Sequence, residues 1–77
     1  ATRIAYELPE RMPVSLRVYD VDGRLVRSLI DTVEGPGLFS VSWEAQNDAG
    51  EPVASGVYFY RLVAGPRSET KKLIVLK

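Results

Sequence analysis

The sequence predicts an all-β fold, a small antiparallel sandwich of about seven short strands. Three observations support this prediction. Apolar and polar residues alternate with a period of two over most of the chain, as expected for strands with one buried face. Short clusters of Gly, Pro, Asn and Asp separate the alternating runs. No stretch of sequence has the apolar period of about 3.6 residues that marks an amphipathic helix.

Three strands are predicted in the first half of the chain, over residues 3–8, 14–21 and 24–30. Their alternation places six side chains on the inner face: Ile4, Tyr6, Leu8, Val14, Leu16 and Val18. Asp22 and Gly23 join the second strand to the third. Because Asp-Gly is favoured at the two central positions of a type I′ turn, this pair predicts a two-residue hairpin loop.

Three further strands are predicted over residues 38–44, 57–64 and 69–76, with turns at 35–37, 46–50 and 65–68. The first of these strands directs Phe39, Val41 and Trp43 inward. We expect Trp43 to lie opposite Tyr58 and Tyr60 at the centre of the core. Such tyrosines after a chain corner are typical of the tyrosine corner, in which a hydroxyl fixes the preceding loop. The predicted fold class is therefore an immunoglobulin/fibronectin III-like antiparallel β-sandwich.

Composition argues against most chemical functions. The 77 residues include 10 basic and 10 acidic side chains, so the net charge is zero and no basic stripe favours nucleic acid. No apolar run reaches the roughly 20 residues of a transmembrane helix. Histidine and cysteine are both absent, so the serines lack an imidazole base and a soft metal site cannot form. We predict no enzyme activity, no cofactor and no metal.

Two acidic turns are better explained as solvated loops than as cation sites. Asp20 and Asp22 begin like an EF-hand loop but lack its remaining ligands and distal glutamate. Asn47, Asp48 and Glu51 lie together at the next turn, where such residue types normally hydrogen-bond to the backbone.

Four segments carry a resemblance to a known family. They are Ile4-x-Tyr6-x-Leu8-Pro9; Val14-x-Leu16-x-Val18-Tyr19-Asp20-x-x-Gly23-Arg24-x-Val26; Gly50-x-Pro52-Val53-x-Ser55-Gly56-Val57-Tyr58-Phe59-Tyr60-Arg61-Leu62; and Lys71-Lys72-Leu73-x-Val75-Leu76-Lys77. In order and spacing the chain resembles the type A C-terminal sorting domain of the type IX secretion system. It also resembles the related immunoglobulin-like domain of flagellar hook-capping proteins. The Asn-Pro that usually precedes the family's first strand is not part of this sequence.

The resemblance implies a sorting role. Residues 1–77 are then a single C-terminal domain excised from a larger secreted protein, which passes through the periplasm to the cell surface or the medium. The implied partners are the passenger domain on the N-terminal side, the outer-membrane translocon and a sortase-like peptidase. Gly56 and Tyr58 match the family's Gly-x-Tyr element. The terminal strand is the implied recognition segment, comprising Lys71, Lys72, Leu73, Ile74, Val75, Leu76 and Lys77.

Other binding functions stay open at this point. Tyr19, Phe59 and Arg61 are predicted to point away from the core and to form an exposed patch, although an ordinary amphipathic face has the same composition. A carbohydrate-binding module would need aromatic rings on one face, whereas the pattern buries Trp43. A fibronectin-like spacer or a hook-cap-type assembly domain is a further alternative.

Overall fold

Six β-strands form the part of the chain described by our computed structural model, residues 2–77. They are β1 (Thr2–Leu8), β2 (Met12–Asp20), β3 (Leu25–Glu34), β4 (Gly37–Trp43), β5 (Gly56–Ala64) and β6 (Arg67–Val75). Over the same residues, no helix is long and apolar enough to span a membrane.

The strands pair into two antiparallel sheets of unequal size. The larger sheet has the order β3-β2-β5-β6, and the smaller one pairs β1 with β4. Four strands therefore face two, and β6 is an edge strand that pairs with β5 on one side. The predicted antiparallel sandwich of immunoglobulin type is confirmed.

The core lies where the alternating residues predicted it. Every predicted inward residue of β1 and β2 is buried, and so is Trp43. Phe39 and Val41 are half-buried and pack with Tyr6 on one side of the core, where the rings of Tyr6 and Phe39 stack with centroids 5.3 Å apart. On the other side Trp43 meets Tyr58 edge-on, with ring centroids 5.4 Å apart. The predicted contact of Trp43 with Tyr58 is confirmed, and Tyr60, the other predicted member, packs half-buried against the same cluster.

The structure has six strands, at the six positions predicted above, rather than about seven. Residues 44–55 fold as a loop around the predicted turn at 46–50. Asn47 explains this: its Oδ1 accepts hydrogen bonds from the backbone N–H groups of Ala49 and Glu51, at 3.0 Å each. The neighbouring Asp48 binds the edge of β3 instead of a strand partner, since its N–H donates to Val26 O and its Oδ1 accepts from Ser28 N, both at 3.0 Å. These side-chain bonds add to a short backbone pairing within the loop, in which Gln46 bridges Pro52 and the N–H of Asn47 donates to Glu51 O at 2.9 Å.

The hairpin between β2 and β3 has a different turn from the predicted one. Gly23 has a φ of 82°, but Asp22 is not in the left-handed region, so the type I′ prediction was wrong. Asp20 closes the loop instead: its Oδ1 accepts from the N–H groups of Asp22 at 2.9 Å and Arg24 at 3.0 Å. These bonds, the one from Arg24 above all, hold the pKa of Asp20 below its ordinary value.

Strand ends also differ from the predicted ones. β3 continues to Glu34, beyond the predicted end at residue 30. Its second half is polar and exposed, but it stays in the strand because it pairs in register with β2. The last strand begins at Arg67 and ends at Val75, two residues earlier at its start than the predicted 69–76 and one at its end.

Candidate interaction surface

Tyr58 forms the tyrosine corner that its spacing predicted. It lies on β5 with its ring buried against Trp43, and its hydroxyl donates to Ala54 O at 2.7 Å, four residues upstream. A phenol in this position fixes the end of the 44–55 loop to the core. Tyr58 is 8 % exposed, so in the folded domain its ring stabilises the corner and offers little surface to a partner.

Gly56 begins β5 and has a backbone role. Its φ is 154°, a value that residues with a side chain rarely adopt, and no atom lies within 4 Å of where a Cβ would be. In the Gly-x-Tyr element, the glycine therefore allows an unusual backbone conformation, and the tyrosine two residues later buries its ring.

The terminal segment divides into a buried and an exposed half. Leu73 and Val75 belong to the core, whereas Ile74 is 57 % exposed and Leu76 is 87 % exposed. Lys77 is held at the corner, because its N–H donates to Ser55 Oγ at 3.0 Å. The three predicted lysines are exposed, and Lys71 forms an ion pair with Glu69 at 3.0 Å.

The outward side of the larger sheet is ordered in rows across β2, β5 and β6, and we call it the outer face. Its residues are Ser15, Arg17 and Tyr19 on β2; Val57, Phe59, Arg61 and Val63 on β5; and Ser68, Thr70, Lys72 and Ile74 on β6. The structure brings the predicted pair Tyr19 and Phe59 directly opposite each other, both half-buried, with Lys72 beside Phe59 on β6.

Two arginines also lie opposite each other on the outer face. Arg17 on β2 pairs in register with Arg61 on β5, and Thr70 completes their row on β6. Arg17 reaches Asp31 at 3.5 Å, but the Asp31 carboxylate is 73 % exposed and the contact is long. Arg61 has no carboxylate within 4.0 Å among residues 2–77. Like charges directly opposite on a sheet are unfavourable, so this row is a local electrostatic cost.

An open groove of about 400 Å³ lies next to the arginine row. Its lining includes the small Ser15, the apolar Val33 and Val63, and the charged Arg17 and Asp31. The groove is apolar enough to accept an aliphatic side chain and has two charged residues in its lining.

Sequence reasoning found Tyr19, Phe59 and Arg61 but missed Arg17, Lys72 and the groove as members of the same surface. Alternation places Arg17 outward, and that signal was present in the sequence. Its position opposite Arg61 depends on the β2–β5 register, which joins residues over 40 positions apart and is not contained in any local pattern.

A partly buried polar contact joins the two sheets away from this surface. The Tyr6 hydroxyl on β1 donates to Glu34 Oε1 at the end of β3. Burial first, then this hydrogen bond and the charge of Glu34, raise the pKa of Tyr6 well above its ordinary range. The acidic turns hold no cluster of three or more metal-ligating side chains along residues 2–77.

Comparison with known proteins gives one match. The family model described as FlgD Ig-like domain matches residues 1–67, which covers β1 to β5 and reaches the first residue of β6. A search of curated proteins found no significant match. A search of solved structures likewise found none.

Proposed function

Because the chain belongs to the FlgD Ig-like domain family, we propose that it is a non-catalytic assembly or accessory module that binds another protein through its surface. The family match over residues 1–67 is the observation that carries this proposal. It favours the hook-cap-type alternative over the sorting role implied by the sequence resemblance.

The use of polar groups supports a binding role over a chemical one. The carboxylate of Asp20 and the amide of Asn47 are occupied by backbone N–H groups of their own turns. The single tryptophan is 1 % exposed, so it is not a platform for a sugar ring. Exposed groups that a partner could contact include those on the outer face and on the edge of β6.

Replacing this domain in the protein that contains it tests the proposal. Residues 1–77 are replaced by an unrelated immunoglobulin-like sandwich of similar size, and the size of the native complex is measured by sedimentation. We expect the neighbouring domains to stay folded and the complex to be lost. A complex of unchanged size would contradict an assembly role.

A sorting signal is the second candidate, favoured by the placement of β6 at a sheet edge. An edge strand has unpaired backbone groups on one side, to which a translocon component can add a strand. In this reading the recognition segment is residues 71–77, the passenger lies on the N-terminal side, and a sortase-like peptidase acts during passage from the periplasm to the surface.

Surface delivery of a periplasmic reporter fused to residues 1–77, in a bacterium with type IX secretion, tests this second candidate. Removing the whole strand would also remove Leu73 and Val75 from the core. A better variant changes exposed residues only, Ile74→Ser with Leu76→Ser. Leu38→Ser on β4 is the control, because Leu38 is also largely exposed. Delivery that depends on residues 74 and 76 but not on 38 supports sorting. A reporter that stays in the periplasm contradicts it.

A further inference from the structure

We propose that the outer face binds an extended acidic segment of a partner protein, whose carboxylates are held by Arg17 and Arg61. This inference rests on the assembly role proposed above and names the chemistry of the partner. The occupant is a polypeptide, and its expected position is along β5, across the rows of the outer face.

Charge distribution is the first argument. The whole chain is neutral, with 10 basic and 10 acidic residues. The outer face nevertheless carries three cationic side chains, Arg17, Arg61 and Lys72, and Asp31 on β3 is the carboxylate beside them. Such a face attracts anions and repels cationic partners.

The unfavourable arginine row is the second argument. Arg17 and Arg61 are in direct register, and the one carboxylate near them is weakly engaged with Arg17 at 3.5 Å. A carboxylate placed between two guanidinium groups removes the repulsion and accepts two hydrogen bonds from either fork. Among residues 2–77, Asp31 reaches Arg17, and no carboxylate lies within 4.0 Å of both arginines.

Geometry favours a polypeptide over an anionic sugar chain. Successive outward residues on β5 are two apart, a spacing of about 6.8 Å, which is also the repeat of same-side residues in an extended segment. A segment along β5 therefore meets Val63, Arg61 and Phe59 in turn with alternate side chains. The groove beside Val63 accepts an aliphatic group, and Tyr, Phe and Arg are typical of protein interfaces. A polysaccharide has carboxylates but no aliphatic side chain for the groove.

Titration of the 77-residue chain with a defined peptide tests this inference. The probe is a capped peptide with two copies of Leu-Ser-Glu-Ser-Phe, and its control has glutamine in place of glutamate. We expect amide shifts at outward positions of β2 and β5, and a Kd of about 1 mM or tighter. The double variant Arg17→Gln with Arg61→Gln is expected to bind roughly tenfold more weakly. Arg3→Gln with Arg11→Gln, the same charge change elsewhere, is expected to bind as the wild type.

Three results would overturn the inference. One is the absence of outer-face shifts at about 10 mM peptide. Another is an equal loss of binding in the Arg3/Arg11 variant, which would indicate non-specific attraction. The third is tighter binding of polygalacturonate than of the peptide at Arg17 and Arg61, which would assign the face to an anionic glycan.

The two proposals fail in different ways. Suppose that the Arg17/Arg61 variant of the full protein assembles normally while replacement of the domain abolishes assembly. In that case the acidic-segment inference is wrong and the assembly role stands. If replacement leaves assembly intact, the assembly role itself is wrong. Both proposals are supported if both variants lose assembly and a denaturation curve shows that the Arg17/Arg61 variant is still folded.

Discussion

Tyr58 connects the core, the corner and the start of β5 through one side chain. Its ring packs against Trp43 and its hydroxyl donates to Ala54 O. In Tyr58→Phe the ring stays and the carbonyl loses its partner, so we expect the free energy of unfolding to fall by about 1–2 kcal/mol. Urea denaturation measures this change.

Tyr60→Phe is the matched control for that variant. Tyr60 lies on the same strand and the same side of the sheet, and it packs half-buried against the core outside the corner. Its hydroxyl is expected to contribute less than about 0.5 kcal/mol. Equal losses in the two variants would show that the corner hydrogen bond adds no stability.

Tyr6 gives the domain a dependence on alkaline pH. Its folded pKa is raised by burial first and by Glu34 second, so the folded state keeps the proton that the unfolded chain releases near pH 10. The stability contributed by this proton is complete below pH 10 and is lost as the pH rises above it. Denaturation between about pH 9 and 11.5 is expected to show a steeper loss in the wild type than in Tyr6→Phe. Parallel slopes would contradict this.

At the scale of elements, the 44–55 loop connects β4 to β5 across the two sheets. Asn47 accepts from Ala49 N and Glu51 N, and its amide donates to Glu51 Oε1 at 3.2 Å. The loop also covers part of the open edge of β3, because Asp48 binds Val26 and Ser28 there. Edge protection of this kind limits pairing with other chains.

Asn47→Ala is expected to destabilise the domain by about 1–2 kcal/mol, since two backbone donors lose their acceptor. Hydrogen exchange at Ala49 and Glu51 is expected to accelerate more than exchange in β2. Glu51→Gln is the control, because its amide oxygen can still accept from Asn47 Nδ2. Unchanged exchange at Glu51 in the Asn47 variant would show that the backbone holds the loop by itself.

Individual elements show what the sequence could predict. Strand positions, the inward residues of β1 and β2, and the Trp43–Tyr58 contact follow from local alternation, which has the same period in every strand. The turn at 46–50 also follows from its residue types, since Asn47 bonds to the backbone of its own turn. The attachment of Asp48 to β3 does not, because the two lie twenty residues apart in the chain. The Gly23 turn was assigned the wrong type because Asp-Gly fits more than one hairpin loop, and the capping bonds of Asp20 decide between them.

The candidate surface shows the same limit. Outward residues such as Phe59 and Arg61 can be predicted from the strand period. Their neighbours across the sheet cannot, because the pairing of β2 with β5 is set by tertiary packing. The pairing of Arg17 with Arg61 therefore cannot be predicted without the β2–β5 register.

For the whole molecule, the neutral total charge conceals a cationic outer face. We expect Arg61→Gln to stabilise the free domain by roughly 0.2–1 kcal/mol at low salt, because it removes the repulsion with Arg17. The gain is expected to disappear near 1 M salt, where charges are screened beyond about 3 Å. Thermal denaturation at both salt concentrations measures it, with Arg3→Gln on β1 as the control.

A fall in the stability of the free domain on Arg61→Gln substitution would have a different physical cause. If Arg61→Gln destabilises the domain at low salt, the guanidinium group contributes more through packing over its neighbours than it costs through repulsion. The description of the row as an electrostatic cost would then be wrong.

Both described ends of the chain lie at the same end of the sandwich, where Thr2 and Lys77 border one small groove beside Trp43. Linkers attached at these ends would leave side by side. Tension between them would load the outermost pairs first, Thr2 with Trp43 in one sheet and Gly56 with Val75 in the other. Strands pulled from such a geometry lose their paired residues one after another. The domain would therefore unfold at low stretching force.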